Sequence, residues 1–417
     1  MKKILLLTSF FIIAFLGYFS YDFINSAREN RTWPFNSSLG NYLPEFVKYY
    51  AYSLTNPDEK IILSNQEKIK LNYYQIPSKN ATGRGGGIVA IQDNKILVTL
   101  DNGEMFIFDQ KTEKFFTNSS NLKNNYSGIR DSFINEGLSE FLILATVNTA
   151  ELCKKIKLDS FQYIQDNDFF RISSPETIWE SEEECESPTT SGAGGRIVFF
   201  QDDYLISTGY FSEKRFGDLE AAMHPFPQSE KSSFGKVIKI DRSRKNEPSI
   251  YSLGHRTPQG LFVSKDKKKL FLTEHGPKAG DELNLIVEGK NYGWPCKTGG
   301  RMYGFPDIYP VRWPEDLEIL GCSDQDFTEP MFSAKESIGI SQGLQYKGKY
   351  FEKYDDDLII GSLIGASIFI VSLQGERVVN QERIRIGERV RDILETQDGK
   401  IAIYTDGGSL VIVSKNE

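Results

Sequence analysis

From about residue 83 onward, apolar residues fall in short runs separated by turns rich in Gly, Asn and Asp, a pattern that predicts many short β-strands. One unit recurs. QDNKILVTLDNGEMFI at residues 92–107 aligns without a gap with QDGKIAIYTDGGSLVI at residues 397–412, each reading as a strand, an acidic turn and a second strand. Weaker copies, QDDYLISTG and KDKKKLFLTEHG, begin at Gln201 and Lys265. A hairpin repeated along a chain is the mark of radial repetition, so the expected fold is all-β, a β-propeller over residues 83–417. A sandwich would need no such repeat. Strand clusters near residues 86–108, 129–163, 195–240, 249–286, 338–372 and 383–413 predict six blades.

The first 82 residues follow another rule. Lys2 and Lys3 precede an uncharged run at residues 4–21 that ends at Asp22, the pattern of a charged n-region and an apolar segment. Residues 1–25 are therefore expected to form a membrane helix acting as a signal anchor, with the remainder on the periplasmic side. The alternative is a cleaved signal peptide and a secreted chain, for which Asn25-Ser26-Ala27 is the nearest small-residue site. Residues 26–82 read as a membrane-proximal stalk. In it Leu43, Phe46, Val47, Tyr50, Ala51 and Leu54 share one helical face, Pro44 suits a first turn, and Asn56-Pro57 stops the helix.

Composition narrows the function. The 417 residues exceed an ordinary single domain, while 13% aromatics and 35 glycines suit strands and tight turns. A net charge of −8 with no dense Lys/Arg stripe argues against a nucleic-acid partner, and the lysines of residues 265–269 read as a solvated hairpin. Cys153, Cys185, Cys296 and Cys322 make an even set, and in an exported chain disulfides are the default. Three pairings exist. Proximity favours Cys153 with Cys185 and Cys296 with Cys322, the second pinning a Gly/Pro/Asp-rich insert at residues 297–329.

The chemistry concentrates at residues 254–295. There GHRTPQGL, TEHGPKAGDELNLI and NYGWP stand in that order; GGRIVF, SSFGKVIKI and ERVRDI occur at residues 194–199, 232–240 and 388–393. Together these motifs resemble the PQQ-dependent aldose sugar dehydrogenases, the glucose/sorbosone dehydrogenase family, over residues 83–415. The resemblance implies a six-bladed propeller, bound PQQ and calcium, and oxidation of an aldose by hydride transfer to the quinone. PQQ carries three carboxylates, which fixed guanidinium forks suit. By motif position, Arg256, Thr257, Gln259, Arg389 and Arg391 match the cofactor-binding set, with Thr257 in place of an asparagine. The carbonyls of Gly276 and Pro277 match those that hold calcium, and Asp281 and Glu282 match the acidic pair beside it.

Three further positions depart from the family pattern. Gly192 stands where the family has its catalytic histidine, Ile364 replaces a cofactor lysine, and Tyr126 replaces a glutamine. Glycine cannot accept a proton, and general acid/base catalysis is worth roughly 10²- to 10⁴-fold. Of the three histidines, His255 and His275 read as loop-ordering or pocket-lining groups, and His224 sits in a polar insertion. The catalytic residue is thus unassigned. Two functions stay open: a divergent quinoprotein with an altered base, or a catalytically silent exported propeller that binds an anionic or sugar ligand or a protein partner.

Overall fold

A computed structural model of the chain describes residues 59–64 and 67–416, apart from breaks at 119, 121, 124, 151–152, 167–168, 186–191, 212–225, 301–321 and 323–325. The apolar run at residues 4–21, the expected helix at residues 43–54 and His224 lie outside the described residues. Among the described residues no helix is long and apolar enough to cross a membrane.

Six antiparallel sheets succeed one another along the chain. Blade 1 consists of Gly86–Ile91, Lys95–Leu100, Met105–Asp109 and Lys114–Thr117 in that order. The later blades open with Gly128–Asn135, Arg196–Phe200, Pro258–Val263, Ile340–Gln345 and Val390–Glu395. These six opening strands touch one another in cyclic order and so ring a central axis. Middle strands such as Lys95–Leu100 and Ile401–Thr405 are buried throughout, which explains their unbroken apolar runs. The fold is a six-bladed β-propeller.

Closure of the ring corrects the boundary expected at residue 83. Glu67–Gln75 pairs antiparallel with Ser409–Lys415, from Ile69 opposite Lys415 to Gln75 opposite Ser409, and Glu59–Ser64 adds outside it. Residues assigned to the stalk thereby complete blade 6. Two strand clusters also began one strand early, because Glu247–Leu253 is an outer strand of blade 3 and Arg377–Arg385 the outer strand of blade 5. Only a few residues link each to the next inner strand, so the sequence signals merged.

The core lies between blades rather than inside one sheet. Six apolar clusters fill the six interfaces; the one between blades 6 and 1, for example, joins Ile88, Val98 and Phe108 to Tyr404, Leu410 and Ile412. Along the axis the inner strands are tied by polar contacts. Asp131 Oδ1 accepts from Arg196 Nη1 at 3.0 Å and Oδ2 from Ile197 N at 2.8 Å, while Asp392 Oδ2 accepts from Ile88 N at 2.9 Å. Arg196 also donates to the carbonyls of Gln259 and Arg391, so one guanidinium touches blades 2, 4 and 6 from blade 3.

The repeated hairpins of the sequence all occupy one end of the ring, between the first and second strands of blades 1, 3, 4 and 6. Gln397 shows why the repeat begins with glutamine there: its Oε1 accepts from Asn94 N at 3.0 Å and its Nε2 donates to Ile91 O at 3.1 Å, stitching blade 6 to blade 1. Both disulfides form as proximity suggested, Cys153 with Cys185 and Cys296 with Cys322.

Candidate functional site

At the other end of the ring, the loops that enter the inner strands bring charged groups together near the axis. Arg391 begins this assembly. It forms a bidentate pair with Asp406, Nε to Oδ1 at 2.8 Å and Nη2 to Oδ2 at 2.9 Å, and its Nη1 reaches Gln259 Oε1 at 3.3 Å. Arg389, with a side chain 42% exposed, donates to the same carboxylate at 3.0 Å. Burial works against the Asp406 charge, but Arg391 and Arg389 outweigh it and hold the carboxyl below its ordinary range. Two of the three expected arginines therefore share one counter-ion.

Arg256 sits apart from that pair. Its guanidinium lies 5.1 Å from the Trp294 ring and 5.8 Å from that of Tyr210, and Nη1 donates to the His275 carbonyl at 3.1 Å. The loop carrying it is fixed from below. Arg256 N donates to Glu274 Oε2 at 2.6 Å, His255 Nδ1 lies 3.1 Å from Glu274 Oε1, and Ser252 Oγ lies 2.8 Å from His255 Nε2. Ser252, His255 and Glu274 are arranged in the order of a hydrolase triad, yet Ser252 and His255 are fully buried, so the hydroxyl is sealed from any substrate. His255 is a loop-ordering group. Thr257 is buried beside it, and its carbonyl accepts from His275 N at 3.1 Å.

The acidic pair behaves unevenly. Asp281, 2% exposed, is saturated by backbone donors: Gly276 N at 3.2 Å on Oδ1, and Ile338, Gly339 and Ile340 N at 3.0, 2.6 and 3.2 Å on Oδ2. Its carboxylate staples the 276–281 turn of blade 4 to the entry of blade 5. Glu282 makes only long contacts, with Asn284 Nδ2 and Gly299 N both at 3.4 Å, and burial together with Glu274 pushes its pKa up to about 8. The Gly276–Pro277 turn is compact, since a Cβ on Gly276 would meet the Gly280 carbonyl at 2.2 Å.

Of the departing positions, Ile364 stands against Gly339 at this end of the ring. Gly192 precedes the buried Ala193 with a φ of +77°, a conformation that favours glycine. Tyr126 is drawn away from the assembly. Its ring packs with the apolar cluster between blades 1 and 2, and its hydroxyl donates to Asp159 Oδ2 at 2.7 Å.

Two members of the assembly escaped the sequence reading. Asp101 follows Lys95–Leu100, and Arg130 lies on the inner strand Gly128–Asn135; each perturbs the other electrostatically, and both feel Arg391. Burial raises the Asp101 pKa against Arg130 and Arg391. Burial also lowers the His275 pKa, with Asp281 opposing and Arg256 and Arg391 adding to it. Among the described residues, several buried polar atoms here have no hydrogen-bond partner: Arg130 Nε, Arg256 Nε, His275 Nε2, Asp101 Oδ1, Tyr210 Oη and Trp294 Nε1. Unsatisfied buried groups are rare in folded proteins, and their concentration here makes this end of the ring the candidate ligand site. A cavity of about 340 Å³ lies elsewhere, between blades 6 and 1 at the hairpin end, lined by Lys70, Tyr350, Lys400 and Lys415 among others.

Comparison with known proteins agrees with the motif reading. The family model for glucose/sorbosone dehydrogenase matches residues 85–413. The chain belongs to the glucose/sorbosone dehydrogenase family. Within the family it is 34% identical over 231 residues to aldose sugar dehydrogenase YliI of Escherichia coli, covering 53% of this chain and 59% of that protein. It is 45% identical over 127 residues to quinoprotein glucose dehydrogenase B of Acinetobacter calcoaceticus, covering 28% of this chain and 25% of that one. The chain thus spans about half the length, or less, of these curated relatives. In fold it is similar to the soluble aldose sugar dehydrogenase of E. coli, with a TM-score of 0.68 at 22% identity over 83% of this chain and all of the other. The PQQ-bound aldose sugar dehydrogenase of Streptomyces coelicolor gives 0.60 at 18% identity, over 83% of this chain and 98% of the other.

Proposed function

We propose that the chain is a divergent quinoprotein of the aldose sugar dehydrogenase type, whose central site binds PQQ and brings an aldose to it. The observation that carries this reading is the presence, at one end of the ring, of two guanidiniums with unsatisfied Nε atoms, Arg256 and Arg130, together with the Arg391–Asp406 pair. Such donors fit a ligand with several carboxylates. Arg256 and Arg391 would hold the cofactor's carboxylates, with Arg389 at the exposed rim and Gln259 and Thr257 shaping the floor. PQQ, when bound, supplies the electron-pair acceptor for oxidation at a sugar's anomeric carbon.

The residues fit calcium less simply. Asp281 has both oxygens engaged by backbone N–H groups, so as folded it is a poor metal ligand. A cation at this turn would rest on the Gly276 and Pro277 carbonyls and on Glu282, whose oxygens are only loosely engaged. Proton removal is the weak step. Gly192 supplies no base, and the protein is expected to turn over slowly, roughly 10²- to 10⁴-fold below a relative with one.

A second reading, an exported binding module without turnover, is favoured by Gly192 and Ile364 together. One titration separates the two: PQQ with calcium against the purified protein, followed by reduction of an artificial electron acceptor with a panel of aldoses. Binding with slow turnover supports the quinoprotein. Binding without turnover leaves the module, and no binding at micromolar PQQ overturns the cofactor role.

A further inference from the structure

The side chain with most unexplained chemistry is Arg130. It stands on the inner strand of blade 2, among the charged groups at the axis, where no motif placed a cofactor residue. Among the described residues no carboxylate lies within ion-pair distance of it; its one hydrogen bond runs from Nη2 to Thr146 Oγ1 at 3.4 Å, and its Nε is buried without a partner. A half-buried guanidinium so poorly satisfied carries a desolvation cost that a bound anion would offset.

The space around it is kept open by glycines. A Cβ on Gly128 would lie 2.9 Å from Arg130 Nη2 and 3.0 Å from Asp101 Oδ1, and a Cβ on Gly195 would lie 2.9 Å from Arg130 Cβ. Gly195 belongs to the GGR motif and has a φ of +118°. Room for Arg130 is therefore built by Gly128 of its own strand and by Gly195 just before the inner strand of blade 3. The ion pairs point the same way: Arg389 and Arg391 share Asp406, whereas Asp101, the carboxylate that Arg130 feels, stands beyond ion-pair distance of it.

We infer that Arg130 is a binding residue of the central site, a cation that engages a carboxylate of the ligand and takes over the role left vacant at Ile364. This rests on the reading of the site as an anion pocket, and it adds a contact from blade 2, on a different blade from Ile364. The ligand class is a small molecule with at least two carboxylates, PQQ being the probe that fits the family.

The test uses the whole chain, wild type against Arg130→Met and Arg130→Lys, with two readouts. PQQ affinity is measured by titration; Arg130→Met should weaken it about 10- to 100-fold, the worth of a charge-assisted hydrogen bond, and Arg130→Lys should recover part of the loss. Thermal melting without ligand should be unchanged or higher in Arg130→Met, because a half-buried charge without an ion-pair partner among the described residues has been removed. Equal PQQ affinity in wild type and Arg130→Met overturns the inference and leaves the proposed function standing, as does a lower melting point with unchanged affinity. If wild type fails to bind PQQ, the proposed function falls. Citrate then serves as probe: weaker binding in Arg130→Met supports an anion site at Arg130, and equal or absent binding in both proteins overturns it.

Discussion

Asp281→Ala tests what an acidic residue in a metal-associated motif is doing. Its carboxylate accepts four backbone N–H groups at 2.6 to 3.2 Å in a position 2% exposed. Each buried donor left without an acceptor costs about 1–3 kcal/mol. Water entering the space vacated by the carboxylate will satisfy some of them, so the expected total is about 4 kcal/mol, comparable to breaking a buried ion pair. At roughly 2 °C per kcal/mol for a domain of this size, the midpoint should fall by about 8 °C. Asp281→Asn keeps an oxygen for the three donors at residues 338–340 but sets an amide N–H against Gly276 N, so about half that loss is expected. Melting curves of the three proteins in EDTA and in calcium decide the matter. If Asp281 is chiefly a metal ligand, Asp281→Ala will melt with wild type in EDTA and lose only the increment that calcium confers. That outcome would refute the backbone-staple argument.

Three further predictions follow from the geometry. Burial pushes the Asp131 pKa up to about 7, with Arg196 opposing and Asp392 adding, and pushes that of Glu282 up to about 8, with Glu274 adding. Both groups hold more protons folded than unfolded, so their stability is present at low pH and lost as pH rises through the range from about 4 to 8; melting should be higher near pH 5.5 than near pH 8, and Asp131→Asn should flatten the profile. Gly192→His places a side chain at a φ of +77°, which costs about 1–2 kcal/mol, so the midpoint should fall by a few degrees, while dye reduction should rise as the missing base is restored; no gain would show that more than the base has been lost. Replacing Cys153 and Cys185 by serine removes a crosslink spanning 32 residues and should cost about 3 kcal/mol by urea unfolding, with a negligible change showing that the loop is held by its strands alone.

The propeller was legible because its hairpin turns need the same residues in blade after blade. Asp93, Asn94, Gln201, Asp202 and Lys267 all have positive φ at equivalent turns, and that shared demand wrote the repeat. The closing strand was harder. In EKIKLNYYQ, Ile69, Leu71 and Tyr73 alternate into the core, an ordinary strand pattern, but nothing local says that the partner lies more than 300 residues away. In the site, Arg256 and Arg391 could be found because they sit in recognisable motifs. Asp281 could not be understood from its motif, because a carboxylate that caps backbone N–H groups and one that binds a cation have the same identity in sequence. Asp101 and Arg130 were invisible for a related reason: a charged residue at the end of a strand reads as a solvated turn until the fold closes around it.

That closure bears on which function the chain has kept. Asp406 neutralises Arg389 and Arg391 in part, and Asp281 staples two blades; both serve the folded state without any ligand. Arg130 and Arg256 are less fully engaged: each keeps a buried Nε without a partner among the described residues, although Arg256 also packs on Trp294 and Tyr210 and donates to the His275 carbonyl. Arg130, with one long hydrogen bond and no ion pair among the described residues, adds little to the folded state, and a bound anion would offset the cost of its partial burial. These guanidiniums therefore argue for ligand binding whatever the role of Gly192, and the strength of PQQ binding, rather than the rate of sugar oxidation, is the property that tests the proposed function first.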